Sequence, residues 1–325
     1  MPQHAFDQKI INRITKRLKL KQLRLLVAIA EHSSILHAAE EIFISQPAAT
    51  KLLKDLEHDF GVQLFHRTNR GVIPTEYGKI LVKHGKLILA QLSHAGQELD
   101  DLKDGLGGRV VIGTLLAASA RLLPEAIRYL HQDRPNVSII VRDGTNDILM
   151  PMLTSGDLDF VVGRLPEYRY RESFTQEILY HEDVVIVART GHPLSGKSSI
   201  TIQQLAECDW ILPPNQTTLR RQIAAEFQNQ GLPVPLNPVE SVSFLANRSL
   251  ILNTDMIGVF PADVVEKEIK SGEFSVLDSK LTTPVSKVGV SYRNIDSLSP
   301  AAIAFLSHLK KVAGLTNKNT KRSQC

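Results

Sequence analysis

Cysteine is scarce in this chain, with two in 325 residues, Cys208 and Cys325. So widely spaced a pair makes neither a disulfide framework nor a metal knuckle, and it fits a reducing compartment, the cytosol. Long apolar runs are missing too. Stretches such as Leu25–Ala30 fall far short of the ~18 residues that a membrane span needs. The N-terminal segment has no apolar core ahead of a small-residue cleavage site, so no signal peptide is read there. Catalytic signatures are also lacking: there is no GxSxG elbow, no GxGxxG after a strand, no Walker A loop and no HExxH. Gly105-Leu106-Gly107-Gly108 follows a helical stretch and precedes an extended one, the reverse of a dinucleotide site. Six of the eleven histidines (His4, His32, His37, His58, His66 and His84) fall within residues 1–90, at no metal-ligand spacing. These absences argue against an enzyme and give no reason to expect a metal or cofactor.

What is there is an ordinary globular composition, 43% hydrophobic and 22% charged with mean hydropathy −0.07. At ~150 residues per domain the length suggests two domains. The charge is unevenly spread. Residues 1–90 hold 14 lysines and arginines against eight acids, a net +6, while the remainder nets −2. A small basic head on a near-neutral body suggests a polyanion-binding module followed by something else.

The head reads as helix with one short break. Leu20, Leu23, Leu26, Val27 and Ala30 recur at helical spacing in a first helix that ends near Glu31. Ser33 and Ser34 offer a cap for a short helix over 35–42, and Phe43-Ile44 form a turn. Ser45 then caps a third helix with Pro47 in its first turn, burying Ala49, Leu52, Leu53, Leu56 and Phe60 before Gly61 stops it. Two extended pieces flank Asn69-Arg70-Gly71. From Thr75 a long helix runs to about Asp104. Along it Leu81, Gly85, Ile88, Leu92, Ala95, Leu99 and Leu102 step by fours and threes, the seam of a coiled-coil dimer.

The helices over 35–60 form a helix-turn-helix, and its second helix presents Gln46, Thr50, Lys51 and Lys54 opposite the apolar stripe. Gln46 can pair bidentately with adenine, Pro47 and the Thr50 methyl can touch thymine methyls, and the lysines can reach guanine or phosphate. Arg67 and Arg70 are placed on a wing against the DNA backbone or minor groove.

The run Ala38–Gly78 resembles the DNA-binding domain of the LysR-type transcriptional regulators. The family frame stands here as Ser45-Gln46-Pro47-Ala48, Leu56-Glu57, Phe60-Gly61, Phe65, Arg67, Arg70, Thr75 and Gly78. Phe60 replaces a common leucine, and His37 stands where a small or basic residue is usual. Gly156-Asp157-Leu158-Asp159, Gly191-His192-Pro193-Leu194 and 255–261 (DMIGVFP) look like further landmarks. The extension before the usual start, with 35–39 (ILHAA), looks most similar to the subgroup that contains the galactose-binding-protein regulator and aromatic-catabolism activators.

The resemblance implies an α/β protein overall: a mainly α winged helix-turn-helix, a dimerising linker helix and a two-lobed, periplasmic-binding-protein-like α/β domain. The expected boundaries are an extension over 1–17, the DNA-binding domain over 18–75 (helix-turn-helix about 35–54), and the linker helix over 75–104. The effector domain follows over 105–315, with a polar tail over 316–325. Alternating strands and helices past the glycine linker predict mostly parallel sheets. Lobe I is expected at 109–163 and 267–313 and lobe II at 168–262, with crossings near Arg164–Tyr168 and Ala262–Glu266.

Implied partners are a dyad-symmetric promoter site, a small-molecule inducer and further copies of the chain, as a homodimer and a dimer of dimers. An activator would also meet RNA polymerase. Ser34, His37 and Ser45 join the expected DNA contacts, and Leu81, Ile88, Leu92 and Leu99 the dimer contacts. In the cleft the expectation falls on Thr114, Ala117, Ser119, Thr145, Arg164, Pro213, Pro214 and Phe260. Thr145 could donate to an inducer or simply cap a helix. Ala117 stands where the family often has a hydroxyl, which argues against a carboxylate clamp. The subgroup leans toward a sugar or another hydroxylated metabolite, with an aromatic acid as the alternative. The competing class is a cytosolic small-molecule-binding protein or hydrolase with an incidental basic head.

Overall fold

The computed structural model of the chain describes residues 16–69, 71–104, 107–166, 173–279, 281 and 286–322, with backbone alone at 100–104 and 316–322. Arg70, Gly105-Leu106, Tyr168 and most of the 1–17 extension lie outside the described residues. Contacts divide the chain into two units, Met1–Gly96 with Thr154–Asp157, and Gln97–Leu153 with Leu158–Cys325.

The first unit begins with three helices, α1 (Leu20–His32), α2 (Ile35–Glu41) and α3 (Gln46–Phe60). The starts of α2 and α3 are each set by a serine side chain. Ser34 Oγ accepts from His37 N at 3.4 Å, and Ser45 Oγ accepts from Ala48 N at 3.4 Å. Gly61 ends α3 in the left-handed region, φ 70°, with its N–H returned to the Glu57 carbonyl at 2.8 Å. Leu25, Leu26, Ala28 and Ile29 of α1 meet Ile35, Ala38 and Ala39 of α2 and Ala49, Leu53 and Leu56 of α3. Burying each of the larger side chains contributes ~1.5–3 kcal/mol. Leu20, expected on this stripe, is exposed instead, and Leu52 and Phe60 flank the core rather than fill it.

A hairpin follows, β1 (Phe65–Thr68) pairing antiparallel with β2 (Gly71–Pro74). Glu57 ties it to α3, its Oε1 accepting from Leu64 N at 2.8 Å and Phe65 N at 3.3 Å. Thr75 Oγ1 donates to the Gln63 carbonyl and accepts from Gly78 N, opening the long helix α4 (Glu76–Asp104). At Gly78 an added Cβ would lie 2.0 Å from the Leu64 carbonyl oxygen, so only glycine lets this turn approach so closely.

Among the described residues the second unit holds two five-stranded sheets. Lobe I carries β3 (Arg109–Thr114), β4 (Ser138–Asp143), β5 (Phe160–Arg164), β6 (Thr175–Glu182) and β12 (Ser286–Tyr292), in the order β4-β3-β5-β12-β6. Its helices are α5 (Leu116–Ser119), α6 (Leu122–Asp133), α7 (Asn146–Ser155) and α12 (Pro300–Arg322). Val110, Ile112, Phe160, Leu130, Phe305 and Leu309 fill its core. Lobe II carries β7 (Val184–Arg189), β8 (Trp210–Leu212), β9 (Val239–Glu240), β10 (Ile257–Pro261) and β11 (Phe274–Val276), in the order β11-β7-β10-β8-β9. Around them lie α8 (Ile202–Ala206), α9 (Thr218–Asn229), α10 (Phe244–Asn253) and α11 (Ala262–Lys270). Buried Trp210 donates its indole N–H to the Leu205 carbonyl at 2.8 Å and packs edge-on against Phe227.

Three expectations are corrected. The sheets are mixed, not mostly parallel: β12 and β7, the strands that arrive from the other lobe, each run against the other four of their sheet. The lobe boundaries also move. Strand β6 pairs with β12 in lobe I, so the first crossing is at Asp183, not Arg164–Tyr168; β11 pairs with β7 in lobe II, so the return follows Val276, not Ala262–Glu266. A strand that leaves one sheet and enters the next after a single residue gives no glycine or proline signal. Finally, α12 continues to Arg322 through the stretch read as a polar tail, because no proline interrupts it.

Candidate functional site

In the first unit the apolar stripe of α3 faces its own core, which turns Gln46, Pro47, Lys51 and Lys54 outward, all exposed. Gln46 is the first residue of α3, where the unbonded N–H groups make the helix end electropositive. Arg67 is exposed on β1. Lys51, Lys54 and Arg67 make no ion pair among the described residues, so all three charges remain available to an outside partner. Ser34 and Ser45 have their hydroxyls occupied by capping, and His37 is exposed with its ring edge-on to His32. Thr50 departs from expectation: its Oγ1 is buried without a hydrogen-bond partner, so the hydroxyl is not offered at the surface.

On α4 the exposed apolar row is Tyr77, Ile80, Ile88, Leu92 and Leu99. Leu81, expected on the dimer seam, turns inward to the core of α1–α3, and an added Cβ on Gly85 would lie 3.3 Å from Val27 Cγ2. The first two seam positions are thus spent within the chain.

In the second unit a cleft of about 1330 Å³ opens between the lobes, ample for a small metabolite with its water. Its walls come from loops at the strand ends: after β3, after β4, after β8 and after β9. This is where open α/β sheets bind ligands. Thr114, Ala117, Ser119, Thr145, Arg164, Pro213 and Phe260 line it, whereas Pro214 does not. Several are less available than the sequence suggested. Thr114 is 1% exposed and donates to the Leu115 carbonyl at 3.3 Å, as Ser119 does at 3.2 Å. Ala117 gives its carbonyl to the Tyr180 hydroxyl at 3.0 Å, and Phe260 belongs mainly to the lobe II core. Thr145 Oγ1 donates to Asp147 Oδ1 at 2.5 Å, which is neither a backbone cap nor an unengaged hydroxyl.

Two features were missed. Arg164 donates through Nε (3.1 Å) and Nη2 (2.5 Å) to Glu182 Oε2, two strands away across β12, with side chains 10% and 4% exposed. Burial pushes the Glu182 carboxyl above its usual range, and Asp263 and Asp183 add to this while Arg164 opposes it. The second is Arg121 Nη2 of lobe I, 2.8 Å from Asp263 Oδ2 of lobe II, which joins the lobes by an ion pair at the cleft. Both pairs join residues far apart along the chain, out of reach of a local pattern.

Comparison with known proteins agrees with this arrangement. Residues 20–79 match the bacterial regulatory helix-turn-helix protein of the lysR family, and residues 103–314 match the LysR substrate binding domain. The HTH-type transcriptional regulator GbpR of Azospirillum brasilense is 35% identical, covering 90% of this chain and 86% of that protein. GalR of Pseudomonas putida, also an HTH-type transcriptional regulator, is 30% identical over 90% of this chain and 73% of its own. Among solved structures, a full-length OxyR variant from Pseudomonas aeruginosa shares the fold with a TM-score of 0.66 at 24% identity, covering 91% of this chain and 95% of that one. With a helix-turn-helix at one end and a two-lobed ligand cleft at the other, the chain belongs to the LysR family of transcriptional regulators.

Proposed function

We propose that the chain acts as a dimer joined along the exposed row of α4, its two α3 helices entering major grooves of a dyad-symmetric promoter site. The observation that carries this reading is the outward row Gln46, Pro47, Lys51 and Lys54 on a helix whose opposite face is locked in the core. Gln46 reads adenine, Pro47 meets a thymine methyl, and the lysines take guanine or phosphate. Ser34, His37 and Ser45 lie toward the sugar-phosphate backbone, and Arg67 of β1 holds it, joined by Arg70 as the sequence suggests. Two dimers pair on one promoter in the cytoplasm, and as an activator the assembly meets RNA polymerase.

The cleft of the second unit takes a small hydroxylated metabolite, held by its hydroxyls and amides with Arg164 on its floor. Such a ligand changes promoter binding only by binding one arrangement of the protein more tightly than another. No helix among the described residues is long and apolar enough to cross a membrane, which is compatible with free access to DNA.

Footprinting upstream of the neighbouring genes tests the reading. Two protected half-sites spaced by multiples of ~10 bp are expected, with affinity falling steeply as salt rises. Salt-labile binding with no sequence preference would sink it.

A further inference from the structure

We infer that Glu182 sets the charge class of the effector: by occupying the guanidinium of Arg164 it turns the cleft toward an uncharged, hydrogen-bonding ligand and away from carboxylates. This rests on the reading that the cleft is the effector site. A cationic guanidinium on the floor of a cleft is ordinarily the group that captures an anion, since its planar fork matches a carboxylate. Here two of its three nitrogens, Nε and Nη2, are already committed to Glu182 Oε2. Both side chains are at least nine-tenths buried, so the pair is poorly screened by solvent and not readily exchanged for an incoming anion.

The lobe I wall of the cleft follows the same rule. Arg121 is neutralised by Asp263 at 2.8 Å. The Thr145 hydroxyl is already given to Asp147, whose carboxylate stands on the same wall. Of the lining acids, Asp263, Glu266 and Glu268 are paired with Arg121, Lys270 and Arg248, while Asp143 and Asp147 make no ion pair among the described residues. A carboxylate entering beside Arg164 finds that guanidinium and Arg121 already paired, with Asp143 and Asp147 on the same lobe I wall. A hydroxyl, amide or carbonyl group meets no such penalty.

The test uses the full chain in thermal melts, with ligand pairs that differ in charge: benzyl alcohol against benzoate, and glucose against glucuronate. Formate is added as a small probe, with chloride at equal ionic strength as its control. The wild type should be unmoved by formate, benzoate and glucuronate relative to chloride. Glu182→Ala leaves Arg164 buried and unpaired, and formate should restore several degrees that chloride does not. Glu182→Gln, which keeps the shape, should shift the preference between each neutral ligand and its carboxylate at least tenfold toward the carboxylate, and it serves alone if the alanine variant does not fold.

Stabilisation of the wild type by a carboxylate and not by its neutral partner overturns the inference. So does failure of both variants to respond to formate or benzoate more than the wild type does. The outcomes separate from those for the cleft itself. A carboxylate effector whose binding is lost in Phe244→Ala, on the cleft wall, keeps the cleft and removes the role of Glu182. An effector indifferent to Phe244→Ala removes the cleft, while the formate response still judges Glu182.

Discussion

The phenol of Tyr292 donates to Glu177 Oε1 at 2.7 Å, joining the interior strand β12 to the edge strand β6, while Lys310 Nζ of α12 lies 2.8 Å from the other carboxylate oxygen. Burial works against the ionised Glu177, but the bonds from Lys310 and Tyr292 outweigh it and hold the carboxyl below its usual range. Burial, with the bond to Glu177, pushes the Tyr292 phenol up to about 12. A depressed carboxyl contributes stability that is in place above its unfolded value of ~4.3 and is lost as pH falls through the folded value. A raised phenol contributes stability that is in place below ~10 and is lost as pH rises through about 12.

Tyr292→Phe keeps the ring against Phe160, at 6.0 Å between centroids, and removes only the donor. We expect a loss of about 1 kcal/mol at neutral pH, at the low end because Glu177 is a third exposed. The acid-side decline should begin at higher pH, because Glu177 then lacks one of the bonds that hold it down. Urea midpoints measured across pH check this; an unmoved acid limb would assign the whole effect to Lys310.

Glu57 gives a second prediction. Its single Oε1 receives the amides of Leu64 and Phe65, so it holds the hairpin against the end of α3. Glu57→Ala should cost ~1–3 kcal/mol through two amides left without their acceptor. The Leu64 and Phe65 amides should exchange with deuterium faster, and promoter affinity should fall with them. Glu57→Gln keeps an acceptor oxygen and should recover most of both. Equal loss in the two variants would mean that charge, not geometry, is what matters there.

The dimer row separates two leucines that share one heptad pattern. Leu92 is 49% exposed, whereas Leu81 turns into the core of α1–α3. Leu92→Lys should yield monomers by light scattering with the melting of the N-terminal unit preserved. Leu81→Ala should lower that melting by about 1–3 kcal/mol, less than a fully buried site, and leave the mass unchanged. The reverse assignment of effects would restore the original seam.

These leucines also show how far the sequence could be read. The N-terminal unit was legible because its signals are local: Ser34 and Ser45 cap, Pro47 and Gly61 bound α3, and the apolar stripe lies between them. The seam departs from the heptad expectation at its start because the α1–α3 core packs against that end of the helix, so Leu81 turns into it while Ile80 meets solvent. In the second unit the more apolar strands were legible, but Thr175–Glu182, Val239–Glu240 and Phe274–Val276 were not, nor was the sheet membership. Strand β6 (TQEILYHE) has a mixed pattern, and only pairing with β12 places it in lobe I. Of the residues expected in the cleft, all but Pro214 line it. Their occupancy was not legible, because Glu182, Asp263 and Tyr180 reach them through the tertiary fold.

The last prediction sets base reading against backbone holding. Gln46 stands exposed at the first position of α3, its amide carrying a donor and an acceptor suited to one adenine edge. Removing it should relax preference at one base position by about 1–3 kcal/mol and leave the salt dependence nearly unchanged. Arg67 stands on the wing strand β1, exposed and without an ion pair among the described residues. Arg67→Ala should weaken binding to every sequence alike and lower the slope of affinity against salt by roughly one, since one phosphate contact releases about one counterion. Thr50→Val supplies the control. The Thr50 hydroxyl is buried and unpartnered, so replacing it with a methyl of similar size should leave both sequence preference and salt slope intact and slightly raise stability. Affinity measured on a panel of single-base variants at several salt concentrations separates the three. Like behaviour of Gln46→Ala and Arg67→Ala would mean that α3 does not enter the groove by its N-terminal edge, and a loss of preference in Thr50→Val would mean that this hydroxyl turns outward on DNA.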